Sequence, residues 1–178
     1  MNSILSLLLS MSLITNAFMG RRLPENRLPS TIRIKLDKRF PGWRFAQISV
    51  EIRDAMKEYV SLNSQLDLIK GDFDGNGQLD YALLIEQGDI FNDTGAVVGR
   101  NNHIVAFLKR GNDYSLHLVD SNAGDYLLLW RKGDQGYSYE SQRNIVFDND
   151  AMEAVIFEKA GTSYVYKKGK FLRIITGD

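Results

Sequence analysis

From Leu66 to Ile175 the chain repeats one construction, a short apolar run followed by a polar turn. The runs include Tyr81 to Ile85, His103 to Lys109, Tyr114 to Val119, Tyr126 to Trp130, Ala151 to Phe157 and Phe171 to Ile175. Between them stand turn-forming clusters such as Arg110-Gly111-Asn112-Asp113, Asp120 to Gly124 and Lys132-Gly133-Asp134. Runs this short, spaced this regularly, specify antiparallel strands joined by tight turns rather than strand-helix-strand units. "SYVYKKGKFLRI" reads as a closing hairpin with Lys168-Gly169 at its turn.

Ahead of this region, Ile32, Leu36 and Phe40 recur at helical spacing. Ser30 is placed to cap a helix over Thr31 to Arg39, which Pro41-Gly42 stops. Ile52, Ala55, Met56 and Tyr59 form one stripe of a second helix from Ser49 to Tyr59. The expected fold class is therefore α+β: two short N-terminal helices followed by an antiparallel β meander of about seven to nine strands. Gln87 to Asn102, "QGDIFNDTGAVVGRNN", leaves two readings open. It is a long functional loop, or an elongated hairpin with Ala96-Val97-Val98 in a strand.

The first 20 residues carry no charged side chain, and the apolar stretch from Ile4 to Ile14 has the length of a signal-peptide core. It is too short to span a bilayer comfortably. Small residues at Thr15 and Ala17 offer a cleavage site, although no Lys or Arg stands near Met1. The alternatives are a buried helix or a retained anchor. The expected organisation is a signal peptide over residues 1–17, a linker over 18–30 and one α+β calcium-loop domain over 31–178. The expected location is exported, periplasmic or secreted, with membrane contact only during export.

Cysteine is absent, so an exported domain of this kind is held by its core or by another staple such as a metal. Lys plus Arg and Asp plus Glu number 22 each. That balance provides no electrostatic footprint for nucleic acid or an anionic membrane.

One loop specifies chemistry. In "GDFDGNGQLDYALLI", residues 71–85, alternate positions carry oxygen: Asp72, Asp74, Asn76, Gln78 and Asp80. Calcium takes six to eight oxygen ligands, and a single loop supplies them when alternate residues point inward. With Asp72 as the first position, Asp74, Asn76 and Asp80 offer side-chain oxygens and Gln78 its backbone carbonyl. Gly77 falls at the sixth position, where the chain bends sharply. The expected cofactor is Ca2+, held by Asp72, Asp74, Asn76, Gln78 and Asp80. An acidic Asn-Gly hairpin turn is the plainer reading. A helix-loop-helix calcium hand does not fit, because its twelfth position falls on Leu83 in an apolar run.

"DFDGNGQLDYALL" resembles the calcium loops of FG-GAP repeats, found in integrin-type propellers and in many secreted bacterial proteins. The match covers Asp72, Asp74, Asn76, Gly77 and Asp80, with Gly71 before and an apolar strand after. The resemblance implies a loop that joins two strands, with Asp80 completing the cage. No second copy of the loop is present in the sequence, so a propeller does not follow. The wider pattern, from "FPGWRFAQIS" to "VYKKGKFLRI", is similar to small exported bacterial proteins, a likeness that brings no activity with it. "DSNAGD" at residues 120–125 and "DND" at 148–150 do not repeat the spacing and read as solvated turns.

Catalytic signatures are weak. His103 and His117 stand in strands without a G-x-S-x-G elbow, and Glu51, Glu58, Glu86 and Glu140 are scattered. The expected function is a non-catalytic binding or inhibitor module for a partner protein or a cell-wall polymer. Its candidate surfaces are the tyrosine pairs of "YSY" and "YVY". The alternative is a calcium-dependent hydrolase with residues 87–102 as a lid.

Overall fold

In the computed structural model, residues 27–59, 65–121 and 124–177 are described. The expected signal peptide, and the linker up to residue 26, lie outside them. The elements are α1 (Ser30–Arg39), β1 (Arg44–Phe45), α2 (Val50–Met56), β2 (Leu68–Gly71), β3 (Asp80–Phe91), β4 (Val97–Arg110) and β5 (Asp113–Ser121). They continue as β6 (Tyr126–Trp130), β7 (Gln135–Ser138), β8 (Arg143–Val146), β9 (Ala151–Ile156), β10 (Ala160–Lys167) and β11 (Lys170–Ile175).

Two antiparallel sheets dominate. The first has the order β1-β3-β4-β5, with β2 also paired to β3; the second has the order β11-β10-β9-β6. β7 and β8 form a separate hairpin.

This corrects the α+β class to a β-rich fold: strands make up 50% of the chain, and the helices are short appendages. The expected single meander is also corrected, because β6 skips the β7–β8 hairpin to pair with β9. The physical reason lies in β3 and β4, which are apolar on both faces. Tyr81, Leu83, Ile85, Val105 and Phe107 meet Ile32, Leu36 and Phe40 of the α1 segment. Ala82, Leu84, Ile104, Ala106 and Leu108 join a cluster with Leu127, Met152, Ala154 and Tyr164 of the second sheet, and with Ile52 and Met56 of α2. A sheet with two apolar faces needs cover on both, and one ten-residue helix covers only one. The chain meets that demand by splitting its strands into two sheets.

The helices differ slightly from expectation. α1 begins at Ser30 after Pro29 and has no side-chain cap, whereas Ser49 caps α2 by accepting the Ile52 N–H. Of the two readings of residues 87–102, the structure takes the hairpin. β3 and β4 pair out to Phe91 and Val97, and Asn92 closes the turn by accepting the Thr94 and Ala96 N–H groups. Lys168 and Gly169 form the closing turn between β10 and β11, both at positive φ. Among the described residues no helix is long and apolar enough to cross a membrane.

Candidate metal site

The acidic loop joins β2 to β3, and the ladder between them fixes its ends. Gly71 pairs with Asp80, so the chain leaves and rejoins the sheet at adjacent positions. The side chain of Phe73 is fully buried and anchors the loop in the inter-sheet core. With Phe73 turned inward, its neighbours Asp72 and Asp74 project together on the other side.

Asp72, Asp74 and Asp80 each offer a carboxylate oxygen, and these oxygens lie within 4.8 Å of one another. Ligands about 2.3–2.6 Å from a calcium ion can be no more than roughly 5 Å apart. The three carboxylates therefore fit around a single ion. The donor set is all oxygen, which suits calcium or magnesium and not zinc.

Hydrogen bonds shape the loop. Asp72 accepts the backbone N–H groups of Asn76 at 3.0 Å and Gly77 at 2.9 Å. Asp80, fully buried, accepts Phe73 N–H at 2.9 Å and Lys109 N–H at 2.7 Å. Burial pushes the Asp80 carboxyl up to about 6; those two N–H groups oppose the rise, and Asp74 and Asp72 add to it. Asn76 Nδ2 faces Asp74 at 3.1 Å, and its Oδ1 accepts the Gln78 N–H at 2.8 Å. Asn76 and Gln78 thus stand beside the carboxylates, with the Asn76 amide oxygen occupied by the loop itself. Gly75 and Gly77 take φ of +75° and +78°, the left-handed bend that the spacing requires.

Three features were not legible in the spacing. The first is Arg110, whose guanidinium pairs with the Asp74 carboxylate. The Asp74 side chain is only 3% exposed while that of Arg110 is 45% exposed. A cation already neutralises part of the cluster. The second is Asp150, which accepts the Asp72 N–H at 3.1 Å and also binds Arg131 and the Lys132 N–H. The third is Asn149, whose Oδ1 sits 2.5 Å from where a Cβ on Gly75 would stand. The "DND" turn is therefore docked against the loop, correcting its reading as a solvated turn. At the two ends of "DSNAGD", Asp120 accepts the Tyr164 hydroxyl from the opposite sheet, and Asp125 the Phe157 N–H. The only hint in the sequence was a further acidic turn, and such turns are common on surfaces.

The histidines are held in strands. His103 Nδ1 lies 3.1 Å from Ser121 Oγ, and His117 Nε2 lies 3.1 Å from Ser115 Oγ. Burial lowers both imidazole pKa values, and Arg110 lowers that of His117 further. The tyrosine pairs divide. Tyr137 and Tyr139 are exposed and meet edge-to-face at 5.1 Å, whereas Tyr164 is buried between the sheets. Compared with known protein families, curated proteins and solved structures, the chain matches none.

Proposed function

We propose that the loop from Asp72 to Asp80 binds one calcium ion and that the protein is an exported, non-catalytic binding module. The observation that carries this reading is the convergence of three carboxylate oxygens within 4.8 Å in one loop between two strands. Like charges brought this close repel, and Arg110 offsets only one of them from a half-exposed position. A divalent cation would satisfy all three at once. Asp72, Asp74 and Asp80 would provide carboxylate oxygens and Gln78 its main-chain carbonyl, and Asn76 would turn its amide oxygen from the Gln78 N–H towards the ion. Bound metal would tie the β2–β3 connection together in a chain without disulfides. The FG-GAP likeness of the loop points the same way and is consistent with an extracellular setting, where such loops bind at about 10⁻⁴–10⁻³ M.

Binding rather than hydrolysis is supported by the placement of residues 87–102 in a paired hairpin and of both histidines beside serine hydroxyls in strands. The exposed Tyr137–Tyr139 pair is the surface best suited to a partner protein or a wall polymer.

The test is a thermal melt in about 10 mM calcium against excess chelator. At the expected affinity the midpoint rises by roughly 3–10 °C. Asp74→Ala should abolish the rise. An equal midpoint in calcium and chelator for the unaltered protein would remove the metal reading.

A further inference from the structure

Leu127, Leu129, Met152 and Ala154 turn one face of the second sheet into the core, so Trp130 and its register partner Ala151 stand on the outer face. The β7–β8 hairpin lies across that outer face. Phe147, which follows β8, stacks on Trp130 at 5.1 Å, and Tyr139, which follows β7, donates its N–H to the Ile175 carbonyl of β11 at 3.0 Å. The hairpin therefore has a covered side and an open side. Ser138 is buried and Gly136 and Ile145 are half-buried, whereas Gln135, Tyr137, Asn144 and Val146 are exposed. Tyr137 and Tyr139 meet at 87° with ring centroids 5.1 Å apart, so one ring makes a floor and the other a wall. Asn144 stands directly across from Tyr137 and adds an amide with two donors and an acceptor.

The same side of the molecule carries cations without partners. Tyr166 and Phe171 turn inward against His117 of the first sheet, so their chain neighbours Lys167 and Lys170 turn outward, on the hairpin's side. Lys167 and Lys170 stand directly opposite each other, with Lys168 in the turn between them, and all three are exposed. Like charges facing across a ladder repel. Among the described residues no Asp or Glu pairs with any of the three. Guarding the free edge of β11 calls for charge on β11 itself, where Lys170 and Arg173 already stand, and does not account for Lys167 and Lys168. Three unpaired cations on one tip call for an anion.

A ligand suited to both features carries apolar ring faces, hydroxyl groups and repeated negative charge. The C–H faces of a pyranose stack on aromatic rings, its hydroxyls bond to phenols and amides, and carboxylates answer the lysines. Lys170 and Ile175, where Tyr139 is tied, lie five residues apart along β11, roughly 17 Å, so the two features suit a polymer and not a single sugar. We propose that this face binds an acidic polysaccharide. Tyr137, Tyr139 and Asn144 hold one sugar unit, and Lys167, Lys168 and Lys170 pair with carboxylates further along the polymer. Glu140 and Arg143, the other charges of the hairpin, are of opposite sign and offset each other. That role rests on the binding reading of the tyrosine surface and is independent of the metal loop.

Calorimetric titration in chelator tests this with the metal loop kept out of play. The probe is a galacturonic acid oligomer of about four units, a length chosen to cover the span of roughly 17 Å. It should bind at least about tenfold more tightly than a neutral malto-oligosaccharide or an oligoglutamate of equal length. Tyr137→Ala with Tyr139→Ala should weaken it about tenfold, and Lys167→Gln with Lys170→Gln should bring it down to the level of the neutral sugar. All four side chains are exposed, and circular dichroism checks that the variants fold; if one does not, the ranking of the three probes decides. Equal binding of oligoglutamate overturns the proposal, because charge alone then suffices. Equal binding of the neutral sugar overturns it too, while leaving the tyrosine surface a binding site. No saturable binding of either sugar overturns the proposal and the wall-polymer reading together.

Discussion

The carboxylate of Asp150, at the start of the second sheet's β9 hairpin, accepts the backbone N–H of Asp72 at 3.1 Å from a position 78 residues away. The first position of the acidic loop is thereby held by the sheet to which the loop does not belong. The same carboxylate accepts the Lys132 N–H at 3.0 Å and pairs with Arg131. The loop, the β6–β7 turn and the β8–β9 turn consequently share one acceptor.

Asp150→Ala should lower stability by about 1–3 kcal/mol, since two backbone donors lose their acceptor together. Urea unfolding in chelator measures this apart from any metal. Calcium affinity should fall as well, because Asp72 loses the contact that fixes its backbone. A change below about 0.5 kcal/mol, within the range of ordinary surface substitutions, would mean that water replaces Asp150 fully.

Two glycines of one loop should respond differently to the same substitution. Gly77 has φ of +78° and open space around it, so Gly77→Ala carries only the left-handed penalty of about 1–2 kcal/mol. At Gly75 the new methyl also meets Asn149 Oδ1 at 2.5 Å, and the loss should be larger. Asn149→Ala in the Gly75→Ala background should recover the excess, a coupling of about 0.5–3 kcal/mol by double-mutant cycle. Strict additivity would show that the β8–β9 turn does not press on the loop in solution.

Arg110 holds the Asp74 carboxylate that the proposed metal ion would need, so the two would compete for it. Removing the guanidinium leaves Asp74 free, so Arg110→Ala should bind calcium a few-fold more tightly. The gain stays small because a half-exposed pair is worth about 0.2–1 kcal/mol. Calorimetric titration at low ionic strength reads the change. Weaker binding in the variant would mean that Arg110 supports the loop instead of competing with the metal.

Stability without metal should depend on pH through Asp80, whose pKa is raised from 3.8 to about 6. A raised carboxyl favours the folded state while it is protonated. Its contribution is full below pH 3.8, the ordinary value, and is lost as pH climbs through 6. In saturating calcium the bound charge favours the carboxylate, and this decline should disappear. Paired melts from pH 4 to 7, with calcium and with chelator, should therefore diverge as pH rises. Parallel curves would count against Asp80 as a ligand.

Much of the loop was legible because its determinants are local. Alternation at Asp72, Asp74 and Asp80 brings three carboxylates together, and Gly77 supplies the bend wherever the loop is placed. The Lys168-Gly169 hairpin was legible for the same reason, its turn chemistry lying within the residues that it joins.

Fold class was not settled by such local signals. The apolar repeats of Ile32, Leu36 and Phe40 announce a helix, but how much of the architecture that helix supplies depends on what the strands need covered. Only the assembled molecule reveals that β3 and β4 are apolar on both faces, that β6 leaves its chain neighbours to pair with β9, and that the strands divide into two sheets. The neighbours of the acidic loop follow from that division. Arg110 reaches Asp74 from 36 positions away, and Asp150 reaches Asp72 from 78. Carboxylate spacing is a property of a short stretch of backbone, whereas the groups that pair with those carboxylates or brace them come from strands brought together by burial of apolar surface.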